Sequence, residues 1–154
     1  MNAHERVGHG AMTGDWDRLR VVGQRDFPGV ARSAGAARKW VVELLDGQVV
    51  AETLETAELL VSEVVTNAIL YSDSAGSEGI ITVRVGLGRD LVHIEVIDDG
   101  SATSVPAIRA TDDDSLSGRG LSWVDRLAVT WGADHVEAGR TVWFQLPYDE
   151  RKNP

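Results

Sequence analysis

Cysteine is absent from the 154-residue chain, which excludes a disulfide framework and any thiolate metal site and suits a reducing compartment. Long apolar runs are absent too. None approaches the roughly 20 residues needed to span a bilayer, and the opening MNAHERVGHGAMTGDWDR lacks the basic-then-apolar order of a secretory signal. Positive charge is scarce: 15 Lys and Arg stand against 24 Asp and Glu, for a formal net charge of −9. Such a chain repels a phosphate backbone instead of releasing its counterions. These shortages argue against direct nucleic-acid binding and against a membrane span, and a cytoplasmic protein is expected. A local anion site remains open to it, because helix-start amides or a divalent ion outweigh a distant negative field.

Hydrophobic residues make up 43% of the chain and charged residues 25%, the balance of a chain that folds. At this length about 70% of the unfolded surface can be buried around one core, so a single domain is expected over residues 18–148. Residues 1–17 read as a disordered or loose arm and 149–154 as a tail. His4 and His9 in that arm have no partners that would make a metal site.

RLRVVGQRDFPG (18–29) reads as a strand ending at Pro28 and Gly29. A helix over 30–45 follows from the spacing of Val30, Ala34, Ala37, Val41, Leu44 and Leu45, with Gly47 as its stop. A second helix, about 51–72, carries the stripe Leu60, Val61, Val64, Val65 and Ala68, and SDSAGSEG breaks it. IITVRVGLG (80–88) and LVHIEVIDDG (91–100) form a hairpin pattern joined by GRD. Residues 101–118 read as a long loop containing Pro106. A third helix (119–129) is set by Leu121, Val124 and Leu127, and two strands close the chain (130–147) around Gly139. No internal repeat is present. Segregated strand pairs and helices predict an α+β sandwich, a mostly antiparallel sheet with helices on one face.

Three places stand out chemically. Glu63 and Asn67 lie four apart on the second helix, so their heads point the same way about one turn apart; taken alone, they read first as the wet margin of an amphipathic helix. IDDGSA (97–102) reads as a strand end turning through Gly100. SGRG (117–120) is either a flexible junction or a helix start with free amides. The dinucleotide fingerprint fails, with Trp123 where its third glycine would fall, and the phosphate-loop motif is missing. No carboxylate pair stands out as glycosidase machinery.

In order and spacing, Glu63-x-x-x-Asn67, Asp98-x-Gly100, Gly118-x-Gly120 and GRTVWF (139–144) resemble the Bergerat-type ATP-binding fold of gyrase, the heat-shock chaperone ATPases, histidine kinases and MutL. LLVSEVVTNAILYS and GRGLSWVDRLAVTWG are most similar to the bacterial anti-sigma-factor serine kinases, above all the small single-domain type of actinomycetes. The resemblance covers about residues 25–147 and implies ATP and Mg²⁺ as cofactors. Asn67 would offer a neutral oxygen to Mg²⁺. Glu63 would accept a proton from an attacking hydroxyl or orient it. Asp98 would accept a hydrogen bond from the adenine amino group, and Gly100 would let the chain approach the base. Gly118 and Gly120 would let the lid wrap the phosphates, with the amides of Gly120 and Leu121 pointing inward. Thr141 would bond Asp98 or a water near it. Arg119 reads equally as a phosphate contact and as a solvated lid residue.

The chain departs from the family pattern at Ala102, which replaces a second glycine, and Asp99 adds a neighbouring negative charge. Asp112, Asp113 and Asp114 read as solubilising the lid, since an acidic run repels triphosphate. The resemblance implies a protein serine/threonine kinase with a sigma factor and an anti-sigma-factor antagonist as partners, and a homodimer. The alternative is a nucleotide-dependent interaction module without phosphotransfer. A sensor histidine kinase core is disfavoured as an expectation, because no phosphoacceptor-helix domain precedes it in this sequence, although another polypeptide could supply one.

Overall fold

The computed structural model describes residues 16–71, 76–99, 116–136 and 139–148. A 3-10 helix at Trp16–Arg18 precedes β1 (Arg20–Gly29), α1 (Arg32–Leu45), α2 (Ala51–Tyr71), β2 (Gly76–Leu87), β3 (Leu91–Asp98), α3 (Leu116–Leu127), β4 (Thr130–Val136) and β5 (Gly139–Pro147). The strands form one sheet in the order β1-β2-β3-β5-β4, antiparallel in every described pair. α2 packs between α1 and α3 and against β2, β3 and β5. The expected α+β class holds, with the helices on one face.

Local chemistry accounts for the helices. In α1 the buried residues Ser33, Ala37, Val41 and Leu45 recur every four positions, the period that puts side chains on one stripe. The Ser33 hydroxyl donates to the Pro28 carbonyl at 2.6 Å and ties the helix start to the strand end. α1 stops where Gly47 takes a φ of 85°, a conformation costly for residues with a Cβ. In α2 the expected stripe of Leu60, Val61, Val64, Val65 and Ala68 is buried throughout.

Cross-strand register builds the core beneath these helices. Val85, Ile94, Phe144 and Trp131 follow one another across four strands, as do Leu87, Val92 and Leu146 in the next row. All are buried, and each such side chain contributes about 1.5–3 kcal/mol relative to exposure. Gly23 lies beneath α1, where a Cβ would come within 2.7 Å of Leu44.

Three boundaries differ from the sequence reading. β2 begins at Gly76, inside the expected break, because its backbone reaches Gly29 across an irregularity in the β1 ladder. α3 begins at Leu116 instead of Arg119. Trp16, expected in the loose arm, is seated on the sheet, its indole donating to Glu95 at 2.9 Å. Within α3, Val124 is buried but Leu127 is exposed, so the expected apolar spacing over-assigned the inner face. The remainder of the arm, the lid residues 101–115 and the tail lie outside the described residues.

Candidate functional site

α2 is the central helix, and it buries two polar side chains: Thr53, whose hydroxyl donates to the Pro147 carbonyl at 3.1 Å, and Asn67. Asn67 is 3% exposed among Val64, Val65 and Ala68, and neither its carboxamide oxygen nor its nitrogen has a hydrogen-bond partner among the described residues. An unsatisfied buried polar group costs about 1–3 kcal/mol, so the position is one a ligand would relieve. Glu63, one turn earlier, is half-buried. The sequence placed these two side chains on one helical face, and the helix runs unbroken through both.

Asp98 ends β3 on the same inner layer. It continues the inward series Val92, Ile94 and Val96, and its own partner across the β3–β5 ladder is Arg140. Arg140 donates to Asp98 Oδ2 through Nε at 3.2 Å and through Nη2 at 3.0 Å, and both side chains are buried. Gly139 sets this up. A Cβ there would collide with the Asp98 carbonyl, and its φ is 151°, so only glycine lets β5 start hard against the end of β3.

Arg140 lies inside the quoted GRTVWF, but the sequence reading attached a role there only to Thr141. Its signal was positional: pairing Val96 with Val142 puts Asp98 opposite Arg140. Thr141, expected beside Asp98, is instead opposite Ile97. Strand alternation sends its side chain to the other face of the sheet.

The glycine pair also changes role. Gly118, Arg119, Gly120 and Leu121 all lie inside α3, so the unpaired donors belong to the turn beginning at Leu116, and the amide of Gly120 joins the helical ladder. This corrects the expectation that the amides of Gly120 and Leu121 point inward. Gly100, Ala102 and the aspartates 112–114 lie outside the described residues, as do the side chains of 116–121. Asp99 is exposed. A cavity of about 270 Å³ bordered by Arg18, Arg89, Asp90 and Gln145 is at the start of β3. Seven strand steps, roughly 24 Å, separate that end from Asp98.

The donor set fits a magnesium nucleotide: a hard, neutral oxygen without a partner at Asn67, a carboxylate beside it, and a buried acceptor at a strand end on the same layer. The α+β sandwich is that of a kinase-like ATPase domain. The family model of the histidine kinase-like ATPase domain matches residues 27–146, and the chain belongs to that family.

Among solved structures, the blue-light activated histidine kinase of Erythrobacter litoralis is similar at 27% identity and a TM-score of 0.51, over 68% of this chain and 33% of that one. Its histidine kinase domain, taken alone, matches at 22% identity and a TM-score of 0.51, over 81% of this chain and 67% of that one, a likeness of fold. The chain thus spans about a third of the length of the first kinase. No curated protein matches it significantly. Among the described residues no helix is long and apolar enough to cross a membrane.

Proposed function

We propose that the protein binds Mg²⁺–ATP between α2 and the start of α3, and phosphorylates a serine or threonine of a small antagonist protein, as an anti-sigma factor of the partner-switching type. The observation that carries this reading is the orphaned, buried carboxamide of Asn67 one turn from Glu63. Bound Mg²⁺–ATP would supply the γ-phosphoryl group. Asn67 would hold the metal through its oxygen, and Asp98 would accept from the adenine amino group. Glu63 would take the proton of the attacking hydroxyl as its oxygen bonds to phosphorus and ADP leaves.

The test is purified protein with Mg²⁺, labelled ATP and candidate antagonists from the same genome. Label is expected on an antagonist, lost in Glu63→Ala while ATP binding persists. Asn67→Ala is expected to weaken magnesium-dependent ATP binding at least tenfold, and an unchanged affinity refutes the metal role.

A second reading, a nucleotide-dependent interaction module without phosphotransfer, is favoured by the surface of α3. Trp123 and Leu127 are 37% and 39% exposed, and Val129 just beyond is 64% exposed, an apolar set suited to a partner protein. ATP binding with no label on any antagonist selects this reading.

A further inference from the structure

Among the described residues, Asp98 and Arg140 are the buried charged groups on the helix-covered face, where the neighbouring rows are aliphatic and aromatic. Arg140 has one obvious reason to be there, Asp98, but a simple structural pair would be as well replaced by two apolar residues. The geometry is more particular than a structural pair needs. Two donors of one guanidinium converge on a single oxygen, Oδ2, at 3.2 and 3.0 Å. The side chains are 4% and 1% exposed, so water does not compete for the contact. The backbone is built around it too: Gly139 gives up its Cβ so that β5 can begin against the Asp98 carbonyl, which puts the very next residue opposite Asp98.

We infer that Arg140 is a specificity-determining residue for the purine: it orients the Asp98 carboxylate as a dedicated hydrogen-bond acceptor, so that the site selects a base carrying an exocyclic amino donor. This rests on the nucleotide reading above and names a residue that reading did not use. A carboxyl group buried without a cation tends to hold its proton, and a protonated carboxyl can donate as well as accept, so it would tolerate bases with or without an amino group. A guanidinium beside it removes that ambiguity. The guanidinium is also planar and rigid, so its two donors hold Oδ2 in one place, which an ammonium on a flexible stem does less well. Arg140 therefore acts through Asp98 and is a positioning residue.

The experiment compares two nucleotides that share the triphosphate and differ only at the 6-position of the base: ATP and purine riboside triphosphate, which lacks the amino group. Affinities are measured by calorimetry with Mg²⁺ on the full chain. The wild-type protein is expected to prefer ATP by about tenfold or more, the scale of one hydrogen bond to a charged group. In Arg140→Gln that preference falls to about twofold or less, while affinity for purine riboside triphosphate changes by less than about threefold. Arg140→Lys retains part of the preference. Should Arg140→Gln fail to fold, Arg140→Lys, which keeps a cation beside the buried carboxylate, carries the test: a preference for ATP equal to that of wild type overturns the inference.

Equal weakening of both nucleotides would reduce Arg140 to a structural role and overturn the inference. Tighter ATP binding in Arg140→Gln would do the same, making Arg140 an obstacle instead of a guide. Wild-type protein that binds neither nucleotide overturns the nucleotide reading itself, and the inference with it. Wild-type protein that binds both equally overturns the inference alone.

Discussion

The two faces of the sheet solve the same burial problem in opposite ways. Beneath the helices, rows of Val, Ile, Leu and Phe interlock across the strands, and the charged pair Asp98–Arg140 appears only at the end of the ladder. On the other face the same strands carry His93 and Glu95, 0% and 4% exposed, in a hydrogen-bonded chain. Trp16 donates to Glu95 at 2.9 Å, His93 Nε2 lies 3.2 Å from the same carboxylate, and Gln145 Nε2 lies 2.9 Å from His93 Nδ1. A histidine with its hydrogen on Nε2 satisfies both contacts.

Aromatic rings seal that polar chain. Arg84 sits 4.2 Å over the Trp16 ring, and Trp143 stacks on His93 at 5.6 Å. Gly86 and Gly132 leave the room: a Cβ at either would come within 2.6 Å of Trp16 or 2.7 Å of Trp143. Polarity alone does not mark a site in this protein. His93 and Glu95 are buried, polar and bonded to each other. Asn67 is buried, polar and unbonded, and a ligand is wanted only where the bonding is incomplete. The open face is not perfect either, since Trp143 Nε1, Thr130 Oγ1 and Arg84 Nε also lack partners, but each is one atom of a side chain otherwise packed.

The strongest way to break the apolar face is Phe144→Ala, expected to cost about 3–5 kcal/mol by chemical denaturation, from lost transfer energy and the cavity left behind. Trp16→Ala tests the polar face. Losing the ring and the donor to Glu95 is expected to cost about 2–3 kcal/mol, and a change below about 0.5 kcal/mol would show that the 3-10 turn does not hold that network. Gly139→Ala probes the start of β5 against the end of β3, with an expected loss of about 1–2 kcal/mol from backbone strain and the collision with the Asp98 carbonyl. The smallest and most telling effect is Asn67→Leu. Replacing an unsatisfied amide by an apolar group of similar size should leave stability within about 1 kcal/mol of wild type or raise it, while magnesium-dependent ATP binding falls. A loss above 2 kcal/mol would mean that Asn67 is a structural residue and not one held ready for a ligand.

Much of this was legible in the chain. The four-residue recurrence of α1 and the stripe of α2 report burial directly, because one helical face meets the sheet. The β2–β3 hairpin follows from its alternation and its short GRD link. Glu63 and Asn67 were readable as a convergent pair for the same periodic reason. Other features were not legible. β2 starts among Gly and Ser residues with no strand preference, because pairing with β1 outweighs local propensity. Leu127 fits the helical spacing yet faces outward, since α3 is an outer helix whose exposed side the pattern cannot distinguish from its inner one.

Periodicity within single elements determined, from sequence alone, which segments are helices and strands, which face of α2 is buried, and which two polar heads share that face. Only the tertiary structure decided what those heads look toward and which residue meets Asp98. The reason is register: a side chain's neighbour across a ladder depends on how two distant strands align, and a shift of one residue sends it to the opposite face. Thr141 and Arg140 are adjacent in the chain, and the β3–β5 alignment alone chose between them.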